Sequence, residues 1–181
     1  LLPKYRAPKS DAVNIGIMHT SLAGSPGHDP YAPCSAADLH AHGFDYWALA
    51  HIHQRSQHAG DRTVIMPGMP QGRDINEAGE KTVSLVTIGD DRSVTVEERP
   101  TGIAQFERIE VDLASVDDWR DAMDTIERTV ADVRNRTRSA HLVGRLTLTG
   151  ATPLAWRLRR DSDLLLAEIE GLRAAEEHNR R

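Results

Sequence analysis

The chain has 181 residues, of which 39% are hydrophobic and 27% charged, a composition typical of a globular domain, with or without a small appendage. Its formal net charge of −5 excludes a global basic field for nucleic acid, although a local basic patch would still bind it. The single cysteine, Cys34, excludes an internal disulfide and is typical of a reducing compartment, so we expect a cytoplasmic protein without a membrane span.

The first half of the chain predicts short strands separated by loops. Three apolar runs predict buried strands at residues 14–18, 46–50 and 63–66. Ser35 with Asp38 three positions later forms a capping-box pattern, which predicts a helix over residues 36–42 that ends at Gly43. Two further runs joined by a Gly-Asp-Asp-Arg turn predict a β-hairpin, at residues 81–88 and 94–98.

A different pattern begins after Pro100-Thr101-Gly102, so we predict one domain over residues 1–102 and another over residues 103–181. The sequence pattern of the second domain predicts a strand, an amphipathic helix and a strand, at residues 106–113, 116–136 and 141–149. Thr152 before Pro153 predicts a further helix start, with an N-cap and a proline at the first helical position. Highly charged helices are expected from there to about residue 178.

Three of the nine histidines directly follow apolar strands, namely His19, His51 and His53. The carboxyl ends of strands are where α/β sheets bind ligands. If the chain stays extended, His51 and His53 point to one face about 7 Å apart, which suits two metal ions better than one. Imidazole is a ligand for Mn, Fe, Zn or Ni. The alternative is two polar residues at the mouth of a strand, because a bare His-x-His is a weak motif.

Several longer stretches carry a family resemblance. "NIGIMHTSLAG", "FDYWALAHIHQR" and "VIMPGMPQGRDINEAGEKTVSLVTI" resemble the later motifs of calcineurin-like metallophosphoesterases, and more narrowly those of SbcD-type DNA repair exonucleases and their YhaO-like relatives. "HDPYAPCSAADL" favours the YhaO-like branch, and "LVGRLTLTGATPLAWRLRRD" is similar to the family's capping region. The resemblance covers about residues 14–163. It implies an α/β fold, the C-terminal part of the sandwich-like metallophosphoesterase fold followed by a small α/β capping domain.

The resemblance implies a site for two divalent ions, usually Mn, in which His19 and His51 bind one ion and His53 the other. The family's remaining ligands, and the histidine that acts on the leaving group, come from Asp-x-His, Gly-Asp and Asn-His motifs that residues 1–181 lack upstream of His19. We therefore expect the C-terminal part of a longer enzyme, with no catalytic residue of its own and inactive alone. Ala50 replaces the glycine that usually precedes the first histidine of the pair.

Other side chains are candidates for supporting roles at such a site. Asp29 and Asp45 are candidate partners for the second ring nitrogens of the histidines. Gln71 and Arg73 follow the third strand, where they either contact substrate phosphate or belong to an ordinary polar loop in which Arg73 pairs with Glu77.

The basic run "WRLRR" at residues 156–160 has two interpretations. It either contacts the DNA backbone or forms a solvated helix face paired with Asp161 and Asp163, and the second is more common for a charge run. The family's partners are DNA and an SbcC-like ATPase, and a homodimer is a further expectation. The leucines from Leu164 onward would either dock on such a partner or pack against the cap.

Two other functions remain open from the sequence. One is an enzyme of the same superfamily with a different substrate, such as a cyclic nucleotide or a phosphoprotein. The other is a non-catalytic binding or scaffold domain. The cap-like sequence after residue 102 favours the nuclease, since simple phosphatases have less need of it.

Overall fold

The computed structural model describes residues 1–22, 31–58 and 60–178, with side chains up to position 171, and shows a mixed α/β fold. In chain order its strands are Ile15–His19 (β1), Tyr46–Ala50 (β2), Ser56–His58 (β3), Thr63–Met66 (β4), Thr82–Ile88 (β5), Val94–Pro100 (β6), Ala104–Asp112 (β7) and His141–Thr149 (β8). Its α-helices are Ala36–His42 (α1), Trp119–Arg136 (α2), Ala155–Arg160 (α3) and Ser162–His178 (α4), with 3-10 turns at Leu2–Lys4 and Ile75–Glu77.

The first lobe is built on a four-stranded sheet in the order β1-β2-β4-β3. The strands β1, β2 and β4 run parallel, and the short strand β3, which the sequence pattern did not predict, pairs antiparallel with β4. The buried core of this lobe comprises Met18, Leu22, Cys34, Leu39, Phe44, Trp47, Leu49, Val64 and Met66. Because three parallel strands share a direction, their carboxyl ends lie at one edge of the sheet.

The helix α1 begins and ends where the sequence predicts. The Ser35 hydroxyl accepts a hydrogen bond from the Asp38 backbone N–H, and the Asp38 carboxylate accepts one from the Ser35 N–H. Gly43 ends the helix at φ 85°, in the left-handed region where glycine carries no Cβ penalty. The Trp47 indole then donates to the Leu39 carbonyl, which fixes α1 against the sheet.

A close approach between β1 and β2 requires glycine at position 16. Gly16 pairs in register with Trp47, and a Cβ at position 16 would lie 2.2 Å from the Trp47 ring. Trp47 is fully buried and hydrogen-bonded through its indole, so the ring has no space into which it can move. The pairing of the two strands that end at His19 and Ala50 therefore requires a residue without a side chain at position 16.

The second lobe follows the hairpin of β5 and β6 and has its own core. The strands β7 and β8 pair in parallel, with α2 as the crossover between them. Its core is formed by Ile109, Val111, Leu113, Ala122, Met123, Ile126, Leu154 and Leu158. The first core ends in the chain at Met66 and the second begins at Ile109, and the domain boundary near residue 102 stays a prediction. The helix α2 begins at Trp119, three residues later than predicted, because Asp118 caps it by accepting from the Asp121 N–H.

The helix that the sequence predicts to start at Thr152 and Pro153 begins two residues after Pro153. The helix α3 begins at Ala155 with Leu154 at its N-cap and no side-chain capping bond. The Thr152 hydroxyl accepts from the Leu154 N–H, as an N-cap hydroxyl does, and it also donates to the Val116 carbonyl. The predicted local cap bond is therefore present, together with a long-range contact to the start of the crossover.

The basic run on α3 has local partners. Arg157 and Arg160 both pair with Asp161, and their guanidinium groups also lie over Trp119 and Trp156 respectively. This favours the solvated-face interpretation.

The leucines of α4 divide between the core and solvent. Leu165 packs against the second core, whereas Leu164 and Leu166 are exposed; the side chain of Leu172 lies outside the described residues. No helix in the described part of the chain has the length and apolar character needed to cross a membrane.

Replacing Gly16 by alanine is expected to lower the free energy of unfolding by about 3 kcal/mol, because the new methyl group overlaps the Trp47 ring. Gly171→Ala is the matched control: nothing lies within 4 Å of its added Cβ in α4, so helix propensity should raise stability by about 0.5–1 kcal/mol. Urea denaturation measures both changes. A Gly16→Ala variant as stable as the original chain would refute the packing constraint.

Candidate metal centre

Two of the predicted histidines come together at the carboxyl edge of the first sheet. His19 is the last residue of β1 and pairs in register with Ala50, the last residue of β2. His51 follows directly, and its Nδ1 lies 3.1 Å from His19 Nε2. One imidazole N–H therefore donates to the lone pair of the other ring.

The backbone turns sharply at His51. Its φ is 114°, in a region that favours glycine and that other residues rarely adopt. The expectation of an extended chain through His51 and His53 is therefore wrong, because β2 ends at Ala50. Ala50 itself is not among the residues with positive φ, so alanine in place of the family's glycine adds no left-handed strain there. Strain held at a polar residue on a strand end is typical of functional sites.

The third histidine lies in a separate cluster. His53 Nδ1 is 2.8 Å from Glu77 Oε1, and Nη2 of Arg73 is 3.2 Å from the same ring nitrogen. The turn at His51 thus directs the two histidines of the pair to different neighbours. Among the described residues, the three histidines do not place their ligand atoms within 4.8 Å of one another.

An acidic group elsewhere does meet that distance, at Asp117, Asp118 and Asp121. These carboxylates lie at the start of α2 and are exposed. Asp118 is occupied as the helix N-cap, and its negative charge raises the pKa of Asp121. The group is accounted for by capping and is not part of the histidine cluster.

Arg73 and Glu77 form the tightest polar pair at the site. The Arg73 guanidinium contacts both Glu77 carboxylate oxygens, at 2.5 to 3.2 Å, and the Arg73 N–H donates to Oε2 at 2.8 Å. These bonds favour the ionised carboxylate and lower the pKa of Glu77 from its usual 4.5 to about 2. Arg73 remains 67% exposed, so its charge also faces solvent beside His53.

Gln71 is occupied by structural contacts. Its amide nitrogen donates to the carbonyls of Gly72 and Ala104, and its oxygen accepts from the N–H groups of Ile103 and Ala104. All four hydrogen-bonding positions of the amide are then filled. Phosphate contact by Gln71 stays a prediction, and it would require one of these bonds to break.

The carboxylate that contacts one of the three histidines is neither Asp29 nor Asp45, the two that the sequence suggested. Asp45 lies buried before β2, at the opposite end from His51, where it accepts from the Asn14 N–H and pairs with Arg62. Asp29 lies outside the described residues. Glu77 takes the role instead, and the sequence had indicated it only as an ion-pair partner of Arg73.

Tyr31 is a further neighbour that the sequence did not indicate. Its ring stacks on His51 at a centroid distance of 5.7 Å and meets His19 edge-on at 5.3 Å. Tyr31 is 54% exposed, so it forms part of the surface around the two histidines. Its position in "HDPYAP", between the first two resembling motifs, was the available signal.

The donor set of the first pair fits a shared metal ion. Two nitrogens bonded at about 2.0–2.1 Å to one tetrahedral ion lie about 3.3 Å apart, and six-coordinate geometry brings neighbouring ligands closer. The observed separation of 3.1 Å between His19 Nε2 and His51 Nδ1 is close to these values. For both to bind one ion, the ring that donates in the hydrogen bond must move its proton to its other nitrogen. Deprotonated imidazole nitrogens suit Mn, Fe, Zn or Ni, so these two atoms do not select among those metals.

Comparison with known proteins adds family information. Residues 106–180 match the family model described as the middle domain of the metallophosphoesterase YhaO. Over 98% of its length the chain is 33% identical to a protein of Bacillus subtilis (strain 168) named "uncharacterized metallophosphoesterase YhaO". The chain spans 43% of that relative's length. Together these similarities support a metallophosphoesterase family for the chain.

Changing Arg73 to glutamine is expected to raise the pKa of Glu77 from about 2 toward 4.5, because the guanidinium bonds to the carboxylate are lost. A depressed folded-state pKa stabilises the fold above the unfolded value of 4.5, and this contribution disappears as the pH falls through about 2. In the variant, whose folded pKa lies closer to 4.5, this contribution should be smaller and its loss should be complete at a higher pH.

An NMR titration of the Glu77 carboxyl carbon, on chelator-treated protein, measures this pKa. Arg138→Gln is the control, because Arg138 lies 3.8 Å from Glu80 and is not among the partners of Glu77. Equal Glu77 pKa values in the original chain and in Arg73→Gln would contradict the assignment.

Proposed function

We propose that this chain, as a relative of metallophosphoesterases, is part of a two-metal phosphodiesterase and supplies three of its metal ligands. The single observation that carries the proposal is the pair His19 and His51. Their ligand nitrogens lie 3.1 Å apart at the ends of adjacent parallel strands, and the His51 backbone is held in a rare conformation. A polar pair without a function would not require such a turn.

His53 is the ligand we assign to the second ion. Its Nδ1 contacts Glu77 and lies beside the exposed guanidinium of Arg73. Arg73 would bind substrate phosphate at the free side of its guanidinium, while Glu77 holds the other side. When bound, such ions supply Lewis-acid chemistry: they activate water and neutralise charge that develops on the phosphate.

The substrate we propose is DNA, and the activity that of a repair exonuclease. Support comes from the resemblance of the motifs to SbcD-type enzymes, and from a second lobe on β7 and β8 whose contacts reach the site loop through Gln71 and the Ile75–Glu77 turn. Mn is the metal we expect. The remaining ligands and the histidine that protonates the leaving group would lie outside residues 1–181.

The chain on its own is expected to hydrolyse neither DNA nor a model phosphodiester, since three histidines without carboxylate ligands cannot hold two ions tightly. It should bind at most one Mn²⁺ or Zn²⁺ weakly, between His19 and His51. Calorimetry and a nuclease assay test the two statements. Two tight ions per chain, or Mn-dependent cleavage, would show that the site is complete within residues 1–181.

In the longest natural polypeptide that contains these residues, His51→Ala should lower the cleavage rate of DNA ends by more than about 100-fold. Loss of a second-shell partner alone costs about 10–100-fold, and loss of a ligand should cost more. His58→Ala is the control, because His58 lies on β3 and contacts Ser56. Rates are measured with Mn²⁺ on single-stranded DNA and on a small phosphodiester.

The same measurements separate the alternatives. Preference for the small phosphodiester over DNA would assign the protein to a different branch of the superfamily. Unchanged cellular function in a His51→Ala strain would favour a non-catalytic scaffold.

A further inference from the structure

His53 needs a partner to define its orientation. It lies in the loop between β2 and β3, outside regular structure, and its side chain is 48% exposed. Its Nδ1 lies 2.8 Å from Glu77 Oε1. Arg73 Nη2, a donor, also lies 3.2 Å from Nδ1, but it donates to Glu77 Oε1 at 2.5 Å. An ionised carboxylate only accepts hydrogen bonds, so the shorter contact to Glu77 assigns the proton to Nδ1. The neutral ring then carries its lone pair on Nε2, which becomes the available ligand atom.

The carboxylate that fixes this ring is itself held firmly. The side chain of Glu77 is 12% exposed, and both of its oxygens receive bonds from Arg73, including one from the Arg73 backbone N–H at 2.8 Å. A carboxylate that accepts several bonds from a fixed loop loses most of its rotational freedom. The direction of the His53 ring is therefore set by residues 73–77.

That loop is in turn anchored to the second lobe. Arg108 on β7 donates to the Asn76 side-chain oxygen at 2.9 Å, and the Gly79 N–H donates to the Phe106 carbonyl at 2.9 Å. Three bonds of Gln71 hold the start of the same loop against Ile103 and Ala104. A continuous set of contacts thus runs from β7, through the turn at Ile75–Glu77, to the imidazole of His53.

We propose that Glu77 is a positioning residue: it fixes the Nδ1–H form of His53, directs Nε2 toward the metal, and makes this orientation depend on the second lobe. The effect on metal binding rests on the function proposed above, whereas the form of the ring does not. Glu77 touches neither metal nor substrate in this assignment. It acts through His53.

The test is the tautomer of His53, measured by long-range ¹H–¹⁵N NMR on the chelator-treated chain. The spectra are recorded at alkaline pH, and the ¹⁵N shifts identify which ring nitrogen carries the proton. The original chain should show His53 with the proton on Nδ1. Glu77→Ala should shift most of the population to Nε2–H, the form that neutral imidazole prefers in water. Glu77→Gln, whose amide oxygen still accepts, should restore part of the Nδ1–H signal.

Glu80→Ala is the matched control. Glu80 lines the same cavity of about 460 Å³ as His53 and Glu77, but its ion pair is with Arg138. It should leave the His53 tautomer unchanged, and unaltered signals of His19 and His51 should show that each variant is folded. A His53 ring that keeps its Nδ1–H in Glu77→Ala, or that lacks it in the original chain, overturns the proposal.

The second part of the test measures Mn²⁺ binding by calorimetry on the longer natural polypeptide. Glu77→Ala should weaken binding at one of two sites by about 10–100-fold, with Glu77→Gln between that and the original protein. If His53→Ala weakens that site and Glu77→Ala does not, the positioning role is refuted. If neither variant changes Mn²⁺ binding but the tautomer still shifts, the ring-positioning role stands and the metal role of His53 in the proposed function fails.

Discussion

The parallel pairing of β1 with β2 is the constraint on which the candidate site depends. It brings the last residue of one strand beside the last residue of the next, and so places the His19 and His51 rings within hydrogen-bonding distance. The pairing in turn requires the close approach of Gly16 to the buried Trp47 ring. A packing requirement in the core, about three residues below the strand ends, thus determines where two polar rings lie at the surface.

Much of this arrangement was accessible from the sequence because its causes are local. The capping box and Gly43 define α1, and the apolar runs define β2 and β4 to the residue. The rule that ligands lie at the carboxyl ends of parallel strands then selected the three histidines.

The features that the sequence did not predict are those set by distant partners. The sequence does not indicate the positive φ of His51, because histidine rarely adopts such a φ. Without that turn, His51 and His53 were expected to point to the same face. Gln71 carries an amide that could contact phosphate, but this amide forms hydrogen bonds with the backbone of residues 103 and 104. Thr152 accepts from the Leu154 N–H as predicted for an N-cap, but its hydroxyl also donates to the distant Val116 carbonyl. For Gln71 and Thr152, tertiary contacts add to or replace the local pattern.

The turn at His51 also explains how two histidines only two residues apart can have different neighbours. Two residues apart on a straight strand, the rings would share one face and one environment. With the chain turned at His51, the first ring meets His19 and Tyr31, while the second meets Glu77 and Arg73. The first pair is fixed by the sheet of the first lobe, and His53 by a loop that the second lobe anchors. Any relative movement of the two lobes would therefore change the position of His53 against the other two histidines. A site divided in this way has its geometry set by the contact between the lobes as well as by its ligands.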